Sequence, residues 1–194
     1  ASAAAEDNAT GNSHGANIAR KIVCYLYGSE GAPVQSGTGS DGYTAYDYGQ
    51  YAIECEYVGG SIESDIAVLR APTDEVKEVN EDICEVELAD DYYVGETAIA
   101  VGNTEGEGIS VTQGVVSVDS EYITLSDIDG TARSCRVLRI DTAIYGGNSG
   151  GGLFNKDGKL IGITNAGNTE DQNINYAIPL EIVRGTVENI LYYY

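Results

Sequence analysis

Residues 146–154 are the part of the sequence that points most directly to chemistry. They read Gly-Gly-Asn-Ser-Gly-Gly-Gly-Leu-Phe, so Ser149 lies in a glycine-rich turn that leads into an apolar run. A serine hydroxyl becomes a useful nucleophile when a base activates it and backbone N–H groups point at the same space. Glycine permits such a turn because it adopts positive φ and lets a substrate approach the main chain. The segment therefore predicts a nucleophilic serine.

A serine nucleophile also needs a base and a carboxylate that holds that base in the right tautomer. His14 is the single histidine of the sequence, so an imidazole base must be this residue. Asp65 is the candidate carboxylate, because it lies where a polar loop meets the apolar run Ile-Ala-Val-Leu and is expected to be half-buried there. The plainer alternatives are a turn serine, a residue that caps a strand and a solvated loop histidine.

Recurring short segments must position these residues. They are rich in Val, Ile, Tyr and Thr, are separated by Gly, Asn, Asp and Ser, and predict antiparallel β-structure. The clearest are 21–27, 51–57, 66–70, 97–101, 109–118, 121–125, 135–141, 159–165 and 174–178. Residues 1–19 are expected to be loosely structured and 29–50 to be an exposed insertion.

One helix is predicted, over residues 180–194. Pro179 suits a first helical turn. The apolar residues that fall on one helical face are Val183, Val187, Ile190, Leu191 and Tyr194.

Charge excludes several classes of partner. The chain of 194 residues carries 31 acidic and 10 basic residues, a formal charge of −21. Nucleic acids and anionic membranes require positive patches, so we expect neither as a partner. No apolar run approaches the ~20 residues of a membrane helix. The acidity fits either a solvated surface or adaptation to high salt.

Four cysteines, Cys24, Cys55, Cys84 and Cys135, show no metal-binding spacing. We therefore expect no metal site and no cofactor. We favour a Cys24–Cys55 disulfide because 21–27 and 51–57 read as two strands joined by a long hairpin loop, which leaves Cys84 to pair with Cys135. Four buried free thiols are the alternative, whereas disulfides would imply export from the cytoplasm.

Ordered motifs give the chain a specific resemblance. A histidine, then Ser-Asp-Ile-Ala-Val-Leu at 64–69, then Gly-Asn-Ser-Gly-Gly at 147–151 follow one another in the sequence. Further matching segments lie at 98–103, 108–117, 141–144 and 174–179. From about residue 22 to residue 190, interrupted mainly by 29–50, the sequence resembles the HtrA (Deg) branch of the chymotrypsin-like serine proteases.

The resemblance implies an all-β fold of two six-stranded antiparallel barrels, with the active site in the cleft between them and a C-terminal helix. The N-terminal barrel would span about 20–90 and the C-terminal barrel about 91–180. The first barrel would lack its opening strands, because only 13 residues precede His14 and none of them reads as a strand. We expect no PDZ domain in these residues. Trimers, which such relatives often form, gain no support from the sequence itself.

By position, the resemblance implies that Ser149 is the nucleophile, His14 the general base and Asp65 the orienting acid. The N–H groups of Gly147 and Ser149 would form the oxyanion hole. The implied reaction is peptide-bond cleavage by acyl transfer, with peptides or unfolded proteins as substrates, in an extracytoplasmic or secreted location.

The resemblance also places the pocket for the residue before the scissile bond. Its floor would be Ala143, and its walls would come from Ile144, Ile174 and the strand residues Ile163, Thr164 and Asn165. Because no acid lies at the floor, we expect cleavage after small or medium aliphatic residues and not after Lys or Arg. The alternative is a catalytically silent peptide-binding relative, or a processed fragment that lacks the first strands of its barrel.

Overall fold

The computed structural model describes residues 21–29, 31, 33–40, 42–106, 108–126, 132–167 and 173–194. His14 and the segment 1–19 lie outside the described residues. The strands are β1 (Ile22–Cys24), β2 (Val34–Thr38), β3 (Thr44–Asp47), β4 (Ile53–Ser61), β5 (Ile66–Arg70), β6 (Thr97–Asn103), β7 (Ile109–Ser126), β8 (Ala132–Ile140), β9 (Gly152–Phe154), β10 (Leu160–Gly167) and β11 (Asn175–Pro179). The helices are α1 (Thr73–Val79) and α2 (Leu180–Tyr193).

The chain divides into two compact units. The first contains the described residues up to Tyr57 together with Leu69–Ile83, and the second contains Val58–Val68 and Cys84–Tyr194. In the second unit, six strands close into a barrel in the order β10-β11-β8-β7-β6-β9. Antiparallel pairing of β9 with β10 completes the ring. A closed barrel leaves no free sheet edge within the ring.

Side chains fill the barrel because its strands alternate inward and outward residues. In β6, Ala98 and Ala100 are buried while their neighbours are more exposed. These small residues lie in one cluster with larger ones that are fully buried: Val116, Leu138, Ile140, Leu153 and Ile161. Burial of each Leu or Ile contributes about 1.5–3 kcal/mol to stability, so this interior is the main stabilising feature of the second unit.

Helix α2 begins after Pro179, as the sequence predicts. Val183 is buried in a second cluster with Ile66 and Ile178, against which Val187 also packs. The far end of the predicted apolar face is different, since Leu191 is 52% and Tyr194 54% exposed. Within the described residues, no helix has both the length and the apolar character needed to cross a membrane.

The first unit contains less regular secondary structure than the second. Strand β1 pairs with β4 in the register Ile22↔Cys55 and Cys24↔Ile53. Strands β2 and β3 form a separate hairpin, and every residue of β2 is exposed. Helix α1 has no buried residue.

The expected first six-stranded barrel is not confirmed. The described residues outside the closed barrel give a three-stranded sheet, ordered β1-β4-β5, and the two-stranded hairpin. The described residues of the expected insertion at 29–50 are exposed or half-buried, and they contain this hairpin. The predicted strands 109–118 and 121–125 are one continuous strand, β7, with register shifts at Val118 that absorb the polar residues between them.

The favoured disulfide is not formed in the structure, which records all four cysteines as free thiols. The Sγ atoms of Cys24 and Cys55 are nevertheless 3.4 Å apart. Burial, followed by the hydrogen bond and charge of Cys55, raises the pKa of Cys24 to about 11. Cys84 is exposed and Cys135 half-buried.

Candidate active site

Ser149 lies on an exposed turn at the rim of the barrel, directly before β9. The N–H of Asn148 donates to the carbonyl of Tyr145 at 3.0 Å, which closes a four-residue turn over 145–148. Gly147, the third residue of that turn, has φ +90°. A positive φ at the third position is the mark of a type II turn, which strongly favours glycine there.

The backbone N–H groups of this segment divide into two sets. Those of Gly150 and Gly151 donate to the carbonyls of Thr164 and Asn148 at 2.7 and 2.9 Å. For the N–H groups of Gly147 and Ser149, the structure records no partner among the residues it describes. The two donors predicted to form the oxyanion hole therefore make no recorded hydrogen bond to the described residues.

Buried groups beneath the turn hold it in place. Asn148 is 2% and Thr164 1% exposed. The Thr164 hydroxyl lies within hydrogen-bond distance of the carbonyls of Asn148 and, at 3.1 Å, Gly151, which share its one proton. The Asn148 side chain accepts a hydrogen bond from the Thr104 hydroxyl at 2.8 Å.

Gly151 must be glycine because the chain packs tightly there. A Cβ on this residue would lie 2.3 Å from the carbonyl oxygen of Val101 and 2.9 Å from that of Asn148. Both are backbone atoms, so neither could move aside easily. The glycines around Ser149 therefore serve backbone conformation at Gly147 and close packing at Gly151.

Asp65 ends the turn that joins β4 to β5. Its φ of +55° makes it the single described non-glycine residue in the left-handed region. Aspartate tolerates that conformation better than most residues. Its side chain is exposed, not half-buried as expected, because the buried residue at this point is the next one, Ile66.

Asn165 connects the candidate acid with the candidate nucleophile. Its side-chain Nδ2 donates to Asp65 Oδ2 at 2.8 Å. Its backbone carbonyl accepts the hydroxyl of Ser149, also at 2.8 Å. Asp65 and Ser149 are 84 residues apart in sequence and share one bridging residue.

The residues predicted to form the substrate pocket have different environments. Ala143, Ile144 and Ile174 are half-buried. Thr164 uses its hydroxyl beneath the serine turn, and Ile163 packs against the cluster that contains Val183. These contacts give Thr164 and Ile163 structural roles in addition to their positions on the predicted wall strand.

A cavity of about 320 Å³ adjoins Asp65 and Asn165 and is also lined by Arg133 and Cys135. Burial raises the pKa of the Cys135 thiol, the Arg133 guanidinium opposes this rise, and the Asp65 carboxylate adds to it. The charges of Arg133 and Asp65 therefore both act on the Cys135 thiol, which lines the same cavity.

Sequence reasoning missed several supporting residues. Asn165 was predicted as a pocket wall and not as a partner of Asp65. The hydrogen bonds from Arg133 to the carbonyl of Ile62 and from Thr186 to the hydroxyl of Ser64, both in the turn that carries Asp65, had no local signal. His14 lies outside the described residues, so its role stays a prediction.

Comparisons with known proteins agree on one family. The family model described as a trypsin-like peptidase domain matches residues 28–163. The protein named serine protease Do-like HtrA from Bacillus subtilis is 36% identical over 143 residues, which cover 72% of this chain and 31% of that protein. Its namesake from Lactococcus lactis subsp. cremoris is 34% identical over 140 residues, covering 68% and 33%. The chain spans about a third of the length of these relatives.

Solved structures show the same fold. The serine endoprotease from Yersinia pestis has a TM-score of 0.61 at 22% identity, over 91% of this chain and 50% of that chain. The HtrA-type protease AlgW, solved with a decapeptide, has a TM-score of 0.62 at 26% identity, over 90% and 45%.

Proposed function

Because the chain belongs to the trypsin-like peptidase domain family, we propose that it is an HtrA-like serine endopeptidase with Ser149 as its nucleophile. The observation that carries the proposal is the serine turn, in which an exposed hydroxyl accompanies two N–H groups without partners among the described residues. Asp65 supports the proposal, since Asn165 links it to the same serine.

The proposed reaction is acyl transfer. Ser149 Oγ attacks the substrate carbonyl while the imidazole of His14 takes its proton, and the carbonyl electrons move onto the oxygen that faces the Gly147 and Ser149 N–H groups. The imidazolium then protonates the leaving amine, and water releases the acyl-enzyme by the same path in reverse. Loss of one oxyanion donor typically costs about 3 kcal/mol of transition-state stabilisation.

Asn165 has a defined place in this scheme. The Ser149 hydroxyl donates to its carbonyl, which cannot take up the proton because an amide oxygen is a very weak base. For reaction, the hydroxyl has to rotate towards His14. Meanwhile the Asn165 amide holds Oδ2 of Asp65, and Oδ1, for which the described residues show no partner, would orient the imidazole.

The proposed specificity is for a small or medium aliphatic residue before the scissile bond. Ala143 would form the floor of the pocket, and its carbonyl is fixed by the Thr112 hydroxyl at 2.7 Å. Ile144 and Ile174 would offer apolar walls. A lysine or arginine side chain would meet no carboxylate at this floor, and an unpaired buried cation is strongly unfavourable.

Labelling with a fluorophosphonate tests the proposed nucleophile. Wild-type protein should become covalently modified at Ser149, and Ser149→Ala should abolish the modification, while Ser40→Ala, at an exposed serine of the first unit, should leave it unchanged. His14→Ala should slow labelling strongly if this histidine is the base. Absence of labelling in folded wild-type protein would favour the catalytically silent peptide-binding relative.

A peptide panel tests the specificity. Substrates with Val, Ala or Leu before the cleaved bond should be hydrolysed faster than matched peptides with Lys, Arg or Glu there. Faster cleavage after a charged residue would contradict the proposed pocket.

We further propose an extracytoplasmic location, in which Cys24 and Cys55 form a disulfide. Their sulfur atoms are already in contact distance on paired strands. Oxidised glutathione would accept the two electrons, so that two protein thiols become one disulfide and two molecules of glutathione form. Thiol titration under this oxidant should fall by two groups, and Cys24→Ser should prevent the fall. The pairing of Cys84 with Cys135 stays a prediction.

A further inference from the structure

The turn that carries Asp65 is held by side chains from two other elements of the second unit. Arg133, near the start of β8, donates from Nη1 to the carbonyl of Ile62. Thr186, in the middle of α2, donates to the hydroxyl of Ser64 at 3.2 Å. These two tethers reach the turn from residues 71 and 122 positions away in the sequence.

Both tethers act on atoms that set the direction of Asp65. The Ile62 carbonyl bound by Arg133 is the one that accepts the N–H of Asp65 itself, at 3.3 Å. Ser64, bound by Thr186, immediately precedes Asp65, and its N–H is fixed by the hydroxyl of Ser61 at 3.1 Å. The turn is therefore restrained on both sides of the residue with the positive φ.

Such restraint matters because Asp65 is not in a relaxed conformation. At φ +55° an L-residue lies in a sparsely populated region, which persists only where the surroundings impose it. The bond from Asn165 to the carboxylate restrains only the side chain. Without the tethers, the backbone could relax and turn the carboxylate away from Asn165.

We propose that Arg133 and Thr186 are positioning residues for catalysis, which hold the turn at 61–65 so that Asp65 faces the imidazole. The proposal rests on the proposed function, because Asp65 has this role only within the triad. Neither residue touches the reacting atoms. The carboxylate stabilises the imidazolium, so its displacement lowers both kcat and the pKa of the imidazole.

The test is a kinetic comparison of Arg133→Ala, Arg133→Lys and Thr186→Val with the wild type. Arg139→Ala is the matched control, since this other arginine of β8 pairs with Glu121 at 3.4 Å. We expect Arg133→Ala to lower kcat by about 10- to 100-fold, the range typical of a small misplacement, with KM unchanged. Thr186→Val should have a smaller effect, Arg133→Lys should restore part of the rate, and Arg139→Ala should match the wild type.

Two readouts separate positioning from loss of structure. The acid limb of the kcat–pH profile should move to lower pH in Arg133→Ala. In an Asp65→Asn background, Arg133→Ala should slow fluorophosphonate labelling no further, because the group that it positions is already gone. Additive losses in the double variant, or an unshifted pH profile, would overturn the proposal.

The remaining outcomes are also decisive. If Arg133→Ala does not fold, Thr186→Val decides alone, because it removes one hydroxyl and keeps the shape of the side chain. If Asp65→Asn or Ser149→Ala reacts like the wild type, the proposed function itself fails and the positioning role fails with it. If those variants are inactive and Arg133→Ala is as active as the wild type, only the positioning role is refuted.

Discussion

Two turns of the second unit carry the candidate chemistry, and they are held in opposite ways. The serine turn is fixed by tight packing against backbone at Gly151, by the buried Asn148 and by the hydroxyl of Thr164. The turn that carries Asp65 is exposed and depends on side chains that come from distant parts of the chain, namely Arg133, Thr186 and Asn165.

The difference follows from what each turn must present. The serine turn offers backbone N–H groups, which only the path of the main chain can aim, so it is packed against other backbone. The turn at 61–65 that carries Asp65, the acid turn, offers one carboxylate, whose direction side chains from other elements can adjust. We therefore expect substitutions at the serine turn to change stability and activity together, and substitutions at the acid turn to separate the two.

Asp65→Asn is the largest expected effect and tests this separation at the acid turn. Asparagine tolerates the left-handed region and its Oδ1 can accept the bond from Asn165, so the free energy of unfolding should change by less than about 0.5 kcal/mol. The rate should fall by about 10⁴-fold, because an amide cannot stabilise the imidazolium. Urea unfolding and the labelling rate of Ser149 measure the two quantities.

Asp65→Ala is the comparison variant. Alanine loses the bond from Asn165 and tolerates φ +55° poorly, so it should also destabilise the fold by about 1–2 kcal/mol. Equal stability of the two variants would show that the backbone conformation of Asp65 carries no strain.

Gly151→Ala should show the opposite behaviour at the serine turn. The new Cβ would collide with the carbonyl oxygens of Val101 and Asn148, so stability should fall by about 2–3 kcal/mol. Labelling of Ser149 should fall in parallel because the turn has to shift.

Gly146→Ala is the matched control. Gly146 belongs to the same turn, but a Cβ added there would have no atom within 4 Å. It should leave both stability and labelling close to the wild type. A Gly151→Ala protein with wild-type stability would contradict the close packing beneath the serine.

The contrast between the turns also explains what the sequence could predict. Ser149, its glycines and β9 lie within a few residues of one another, so a short stretch of sequence is enough to predict them. Helix α2 can be predicted for the same reason, from Pro179 and the spacing of Val183 and Val187. Local signals determine local structure.

Features that rest on long-range contacts, or that bury nothing, gave no such signal. Helix α1 has no buried residue, and the β2–β3 hairpin exposes most of its side chains, so neither shows an apolar period. The bridge through Asn165 and the tether from Arg133 join residues 71 or more positions apart. No spacing in the sequence marks those contacts.

Thr164→Val tests the polar support beneath the serine turn. Valine keeps the shape of threonine but removes the hydroxyl proton that the carbonyls of Gly151 and Asn148 share. We expect a loss of about 1–2 kcal/mol in unfolding free energy, accompanied by slower labelling.

Thr142→Val provides the control for this effect. Thr142 is equally buried, and its hydroxyl donates to the carbonyl of Ala98 at 3.0 Å and not to a residue of the serine turn. This variant should lose similar stability and keep the labelling rate. Slower labelling in both variants would mean that general loosening, and not support of the turn, limits the reaction.

Glu181→Gln, in the first turn of α2, is the smallest expected effect and tests how far the acid turn depends on its distant supports. Burial raises the pKa of Glu181, but a backbone N–H and the bonds from Tyr92 and Arg136 outweigh it, so the pKa is lowered from 4.5. A carboxyl with a lowered pKa stabilises the fold above its unfolded pKa, and this contribution is lost as the pH falls through the lower value. Since the Glu181 side chain is 46% exposed, the loss at pH 7 should be only about 0.5–1 kcal/mol.

The pH dependence identifies the carboxylate as the cause. The difference in unfolding free energy between Glu181→Gln and the wild type should shrink as the pH falls from 4.5 through the lower pKa of the folded state, because the carboxyl protonates first in the unfolded chain and only then in the folded one. Because α2 also carries Thr186, labelling should slow slightly in this variant. Asp157→Asn, at an exposed pair with Lys156, should change neither quantity. If the difference in unfolding free energy were the same at all pH values, the loss would come from altered packing. The acid turn would then depend on the position of α2 and not on the charge of Glu181.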